Sequence, residues 1–193
     1  MNLFDKIFGK KRKVEYTPIQ EVKENNLTPE ERFVAHFKTK GGKFLYTDNE
    51  SEILVFLKNI FAENDWQTAK CFDKDLLKKL KVATIETNKY ANVFFTKCEH
   101  LLADEGSILF SSNQLKEERL QHHPDHFIVY ATTSQLISNK DQALSSIKFR
   151  YKSDLPTNIS AIKDYQPEKI DPGFLNYGNT NSKHLYLLLF EDL

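Results

Sequence analysis

The feature that most constrains the fold of this chain is a set of short apolar runs separated by segments of helical periodicity. Three such runs are Ile108–Phe110, Phe127–Val129 and Leu185–Phe190. Uninterrupted apolar runs of this length are typical of strands that are buried on both faces of a sheet. Because these strands alternate with helical segments, the sequence predicts an α/β fold. We expect a single domain with a mostly parallel sheet and helices on both faces.

Helix boundaries are the second signal. Thr28 and Glu31 form a capping-box pattern around Pro29, a residue that is favoured at the first helical position. A left-handed helix end is expected at Gly41-Gly42. Further helix starts are predicted at Asp48–Ser51 and Asp73. The segment Cys98–Leu102 is interpreted as one turn of helix.

The sequence predicts a flexible head at residues 1–27 and the α/β domain over residues 28–193. The head differs from the rest of the chain in its short apolar stripe and the basic run that follows. Apolar residues within Leu3–Phe8 have helical spacing, and four basic residues, Lys10–Lys13, follow them. One hypothesis is a short amphipathic anchor at residues 3–13 that binds a membrane surface or a partner. We favour the alternative, a mobile tail whose apolar stripe packs on its own domain, because a single short basic helix binds lipid weakly.

Composition argues against several functional classes. The 193 residues include 27 Lys and Arg and 27 Asp and Glu, so the formal net charge is zero. This balance argues against general nucleic-acid binding, which depends on clustered positive charge. The two cysteines, Cys71 and Cys98, belong to no Cys-x-x-Cys pair and support no disulfide framework, zinc site or iron–sulfur cluster. Together with an N-terminus unlike a secretory signal, they predict a cytoplasmic protein.

The acidic turn Ala103–Ser107 is the first candidate site. Gly106 permits a positive φ and leads into a predicted buried strand, a position where α/β folds bind ligands. Asp104 and Glu105 are candidate ligand contacts, and Glu105 is also the candidate catalytic base. The backbone N–H groups of Gly106 and Ser107 can contact an anion without any side chain. The alternative is a solvent-exposed turn in which one acid caps a backbone N–H.

Histidines within His122–His126 form a second candidate group. Imidazoles and the nearby Asp125 carboxylate are ligand types for zinc or iron, but their spacing matches no helix-based zinc motif, so no metal is predicted. We interpret His126 as a polar residue at the mouth of a strand and as a candidate ligand contact. The sequence has no Gly-x-Ser-x-Gly elbow, Walker loop or Gly-x-Gly-x-x-Gly fingerprint. Serine hydrolases, nucleotide hydrolases and standard dinucleotide dehydrogenases are therefore disfavoured.

The order of these elements resembles that of the LUD-domain family, the lactate-utilisation protein C-like proteins, from about Glu31 to Asp192. The family has an alanine, an acid, usually a threonine, a glycine and a small hydroxyl residue before an apolar strand, and Ala103–Ser107 is similar. Pro124–Val129 is similar to the family's proline, spacer, histidine and hydrophobic strand. Gly178–Leu185 resembles the glycine-rich turn and basic residue that precede its last strand.

One segment departs from the family pattern. The family's Gly-Pro-Ser-Arg-Thr-Ala-Asp-Ile-Glu aligns with Leu155–Lys163, where Pro156 and Thr157 keep the proline and the hydroxyl residue. Its arginine, aspartate and glutamate are replaced here by Asn158, Ala161 and Lys163. The resemblance therefore implies a divergent member. If the family's arginine and acids hold an anionic ligand or a metal, this chain is expected to hold it differently or not at all.

The resemblance also implies a fold like that of the glucosamine-6-phosphate deaminase, ribose-phosphate isomerase and CoA-transferase group. It implies an accessory subunit for the oxidation of L-lactate to pyruvate, with no cofactor in this chain and iron–sulfur clusters in its partners. A small anionic ligand is expected at Ala103–Ser107, near His126 and Pro156–Asn158. Two alternatives stay open. One is a free-standing enzyme for a phosphosugar or CoA ester with Glu105 as base or nucleophile, and the other is a non-catalytic interaction module.

Overall fold

Two four-stranded sheets organise the molecule. The computed structural model describes residues 27–167 and 181–192. Within these ranges the helices are α1 (Pro29–Thr39), α2 (Glu50–Glu63), α3 (Lys74–Val82), α4 (Ser112–Leu115) and α5 (Lys140–Tyr151). The strands are β1 (Lys43–Thr47), β2 (Thr68–Ala69), β3 (Glu86–Thr87), β4 (Val93–Thr96), β5 (His100–Leu102), β6 (Ser107–Phe110), β7 (His126–Thr132), β8 (Leu136–Ile137), β9 (Ser160–Ile162) and β10 (His184–Phe190).

The larger sheet is parallel throughout and has the strand order β1-β10-β7-β4. Its side chains alternate between two cores, because successive residues of a strand point to opposite faces. On β7, Ile128 packs with α2 and α3, whereas Phe127 and Val129 pack with α1 and the smaller sheet. The predicted α/β fold with a mostly parallel central sheet is therefore confirmed.

The smaller sheet has the order β8-β5-β6-β9 and mixed strand directions. The pairs β5–β6 and β6–β9 are antiparallel, whereas β5–β8 is parallel. Leu101 and Ile108 point from this sheet into the core beneath the larger sheet, and Leu102 and Leu109 pack on α5. One face of the larger sheet is thus covered by a helix and a second sheet together.

The first three helices begin where the sequence predicts. The Thr28 hydroxyl accepts from the Glu31 N–H at 3.3 Å, and the Glu31 carboxylate accepts from the Thr28 N–H at 2.9 Å, which completes the capping box of α1. Asn49 and Asp73 cap α2 and α3 through their side-chain oxygens. Each cap joins residues no more than three positions apart, so the local sequence contains the whole signal.

The interpretation of Cys98–Leu102 as a helical turn is wrong, because His100–Leu102 is strand β5. This strand is buried and is paired on one side with β6 and on the other with β8. Tertiary pairing has overridden the local preference of a short segment, as is common for strands.

Most of the predicted flexible head lies outside the described residues, as does the start of the Gly178–Leu185 motif. Among the residues that the structure describes, no helix has the length and apolar character needed to cross a bilayer.

Candidate functional site

The acidic turn Ala103–Ser107 links β5 to β6 and packs against the end of α1. Gly106 has φ +58°, and a Cβ atom there would lie 2.5 Å from the backbone nitrogen of Phe37, so only glycine fits this position. The hydroxyl of Tyr165 donates to the Gly106 carbonyl at 2.7 Å. Gly106 and Ser107 are buried. The inner side of the turn is therefore occupied by the protein's own groups.

Both acids of the turn are ion-paired. The Asp104 carboxylate lies 3.3 Å from the Arg32 guanidinium, and the Glu105 carboxylate lies 3.1 Å from the Lys163 ammonium. The Ser107 hydroxyl donates to the same Glu105 oxygen at 3.4 Å. All four charged side chains are partly exposed, so these pairs contribute little stability, but they hold both carboxylates against neighbouring elements.

The segment Pro156–Asn158 lies at the other end of the β6–β9 strand pair from the turn. Thr157 and Ser112 exchange two hydrogen bonds of 2.8 and 3.0 Å just beyond the carboxyl end of β6. Asn158 has φ +52°, and its side-chain amide donates to the Glu118 carbonyl at 2.8 Å. At about 3.4 Å per residue, the length of β6 separates this segment from the turn by about 13 Å.

His126 begins β7 at the amino-terminal edge of the larger sheet. Its ring stacks on His184, with centroids 4.7 Å apart, and lies 5.0 Å from the ring of Trp66. Ligand crevices of open parallel sheets lie at the opposite, carboxyl edge. The structure thus distributes the predicted site residues over three locations: the turn, the Pro156–Asn158 segment and this edge.

A group of ionisable side chains lies next to the same edge, and we call it the His123 cluster: Lys70, Glu118, His123, Asp125 and Lys183. Lys70 and Lys183 are buried, with exposed fractions of 8% and 4%. The Lys70 ammonium lies 2.6 Å from Glu118, and the Lys183 ammonium donates to Asp125 and to the His123 carbonyl, both at 3.0 Å. These lysine hydrogen bonds lower the pKa of the Glu118 and Asp125 carboxyls, which are therefore ionised.

The imidazole of His123 is buried among aromatic rings. It stacks on Phe94 with a centroid distance of 4.4 Å. Among the described residues, neither Nδ1 nor Nε2 has a hydrogen-bond partner, and the nearest Glu118 oxygen is 3.7 Å from Nε2. Burial, and next the positive charge of Lys70, lower the pKa of His123 to about 4. The ring is therefore neutral at pH 7 and offers one donor and one acceptor. Neither makes a hydrogen bond of good geometry within the described part of the chain, although the Leu115 backbone lies close to the ring.

A second buried charged group, Glu99, lies on the far side of the smaller sheet. Its carboxylate is 1% exposed and accepts hydrogen bonds from four side chains, those of Ser111, Asn113, Gln114 and Tyr151. Arg150 lies 3.5 Å away. Both carboxylate oxygens accept hydrogen bonds from the protein's own donors, so this carboxylate links α4 to α5.

Sequence reasoning missed most of the His123 cluster. It considered His123 and Asp125 only as possible metal ligands and assigned no role to Lys70 or Glu118. Lys183 carried a further signal, because it is the basic residue before the last strand in the motif Gly178–Leu185. The other members come from segments far apart in the chain, and their meeting depends on the tertiary fold.

Comparisons with known proteins agree with this architecture. A family model described as the LUD domain matches residues 63–189. The crystal structure of a DUF162 family protein from Deinococcus radiodurans superposes with a TM-score of 0.57 at 10% sequence identity, covering 86% of this chain and 99% of that chain. At this identity the similarity shows a shared fold. Among curated proteins, none matches the sequence significantly.

Proposed function

This chain belongs to the LUD domain family, and we propose that it is an accessory subunit for the oxidation of L-lactate to pyruvate. In this role it works beside iron–sulfur partner proteins, which carry the redox centres. The observation that carries the proposal is the resemblance of Ala103–Ser107 and Pro124–Val129 to the lactate-utilisation protein C-like motifs.

The Glu105–Lys163 ion pair favours an accessory role over a catalytic one. Glu105 stands where the family usually has threonine, and Lys163 stands where it has glutamate, so the two divergent positions contact each other at 3.1 Å. A general base needs a carboxylate that is free to take a proton from a substrate. Here an ammonium group already holds the carboxylate, and the pair ties the turn to the end of β9.

The turn remains the expected contact surface for a small anionic ligand or a partner. Asp104 and Glu105 are the exposed or half-exposed members of the turn, whereas Gly106 and Ser107 are buried. We therefore expect recognition through the acids and their paired bases, Arg32 and Lys163, with the buried residues acting as support.

Deletion of the gene in its own host tests the proposal. We expect growth on L-lactate to be lost and growth on pyruvate to be unchanged. The full-length chain should restore growth on L-lactate, and its Glu105→Gln variant should restore slower growth, because the amide keeps a polar group in the turn and loses only its charge. Normal lactate oxidation in the deletion strain would contradict the accessory role, and failure of the Glu105→Gln variant alone would favour the free-standing enzyme.

A further inference from the structure

We propose that the His123 cluster is a binding site for a small oxyanion, a carboxylate or a phosphate, and that the Glu118 side chain is a displaceable internal plug of this site. The proposal is independent of the lactate role. It rests on three observations: two buried cations, a buried imidazole that makes no well-formed hydrogen bond to the described residues, and a partly exposed carboxylate that is paired with Lys70 and lies near the imidazole.

The basic part of the site is held by the backbone and by aromatic packing. Lys70 forms a parallel bridge with Phe94, in which its N–H donates to Val93 and its carbonyl accepts from Phe95, both at 2.9 Å. Lys183 immediately precedes β10. The ring of His123 is fixed by its stack on Phe94. Because these groups are anchored, they do not need to be ordered when a ligand binds.

The Glu118 carboxylate marks where an oxyanion can lie. Its Oε2 atom is 2.6 Å from Lys70 Nζ and 3.7 Å from His123 Nε2. The first distance is a strong charge-assisted hydrogen bond, whereas the second is too long for a hydrogen bond. The Glu118 carboxylate therefore makes a hydrogen bond to the Lys70 ammonium but none to the His123 imidazole.

The Glu118 side chain is more exposed to solvent than the two side chains next to it. It is 41% exposed, whereas those of Lys70 and His123 are 9% and 0% exposed. An exposed carboxylate on a short segment can move into water at little cost, but a buried ammonium group requires an anion. A free oxyanion can replace Glu118 and also approach Nε2 to hydrogen-bond distance, since it is not limited by a tether.

The same arrangement recurs at Lys183. Its ammonium is 4% exposed and is paired with Asp125, whose side chain is 82% exposed. A ligand with two or three oxygens can therefore contact one lysine and the imidazole while Asp125 keeps the second lysine neutralised. The rings of Phe72, Phe94 and Phe127 surround the imidazole and restrict the ligand to a small one.

The test measures anion binding to the full chain and to its Glu118→Gln variant at pH 7. Sodium phosphate and sodium acetate are titrated separately, with chloride added to keep ionic strength constant. Binding is followed by the ¹⁵N resonances of the His123 imidazole. Removal of the competing carboxylate should tighten binding about tenfold, which is the effect of one hydrogen bond to a charged group. Glu50→Gln, which removes an exposed carboxylate from Lys79, is the matched control and should leave binding unchanged.

Adding Lys70→Met to Glu118→Gln should abolish binding, with circular dichroism to confirm that the double variant is folded. If it does not fold, a change of the His123 tautomer on anion addition to Glu118→Gln gives the same answer. Tighter binding of either anion supports the site and identifies its preference between carboxylate and phosphate. If neither anion shifts the His123 resonances in Glu118→Gln, or if Glu50→Gln responds equally, the proposal is overturned.

Discussion

Glu99 and His123 are both buried, yet their surroundings are opposite. Glu99 is 1% exposed, and the Ser111 hydroxyl donates to it at 2.6 Å, with three further side-chain donors close by. The side chain of His123 is 0% exposed, and neither ring nitrogen makes a hydrogen bond among the described residues. The comparison therefore distinguishes a buried polar group whose hydrogen bonds are all made within the protein from a buried polar group whose hydrogen-bonding atoms are left for another molecule.

The protonation of the two groups follows from this difference. Burial alone would raise the pKa of Glu99, but the hydrogen bonds from Ser111, Gln114 and Asn113 outweigh burial and lower it. Burial, and next the charge of Lys70, disfavour the charged form of His123, and the nearby Glu118 carboxylate and the Leu115 backbone compensate only in part, so its pKa falls to about 4. Glu99 is therefore a charged structural group, and His123 is a neutral group that is available for binding.

Replacing Glu99 by Ala should have the largest effect, because it would leave several buried donors and Arg150 without an acceptor. We expect a loss of about 3–5 kcal/mol in the free energy of unfolding, or failure to fold. Urea denaturation measures this loss. Glu50→Ala, at an exposed position, should change stability by less than about 0.5 kcal/mol. Similar losses for the two variants would mean that the Glu99 network is not the structural element that we describe.

Replacing His123 by Leu should reduce the acid sensitivity of the protein. Between its ordinary pKa of 6.5 and its folded value of about 4, His123 binds a proton in the unfolded chain but not in the folded one. Stability therefore falls as the pH decreases from 7 to 4. With allowance for screening near Glu118, we expect the variant to lose about 2 kcal/mol less over this range. Urea denaturation at several pH values measures the difference, and an unchanged pH profile would contradict a buried neutral imidazole.

Replacing Tyr165 by Phe tests the contribution of a buried, uncharged hydroxyl that makes a hydrogen bond. The buried hydroxyl donates to the Gly106 carbonyl at 2.7 Å, and its loss leaves that carbonyl without this partner. We expect a cost of about 1 kcal/mol, measured as a lower melting temperature. Tyr151→Phe, which removes one of several donors to Glu99, is the companion variant. A neutral result for Tyr165→Phe would show that water replaces the hydroxyl in the turn.

Replacing Glu105 by Gln should have the smallest effect on stability. The Glu105–Lys163 pair is partly exposed, so its loss should cost less than about 0.5 kcal/mol. Thermal denaturation at low and high salt measures this cost. A loss above 1 kcal/mol would place the pair with Glu99, as a structural group.

Structural features that depend on a few adjacent residues were predictable from the sequence. The caps at Thr28 and Asp73 and the left-handed end at Gly41 are local, and all three are found in the structure. The apolar run of β10 was equally readable, because a strand buried on both faces has no polar positions.

Features that depend on distant partners were not predictable. His100–Leu102 is a strand because β6 and β8 pair with it, and its three residues alone contain no sign of that pairing. The antiparallel hairpin around Gly106, in a second sheet, was hidden for the same reason. The alternation of elements along the chain indicated a parallel sheet and could not reveal a mixed one.

In the candidate site, too, the local features were predictable and the contacts between distant residues were not. The acidic turn was visible because Ala103–Ser107 is one contiguous motif. Its ion pair with Lys163 and the meeting of Lys70 with His123 join residues about fifty positions apart or more. A buried lysine has no local signature, since its burial is decided by what packs over it.

The position of β10 in the middle of the larger sheet affects the synthesis of the protein. β1 ends at Thr47, but the strand beside it, β10, begins at His184. At a ribosomal rate of about 5–20 residues per second, roughly 7 to 27 seconds pass between the synthesis of β1 and the synthesis of the strand that pairs with it. During this interval the nascent chain exposes unpaired apolar strands, which makes it a substrate for chaperones. A translation product that stops before β10 should be removed by proteases.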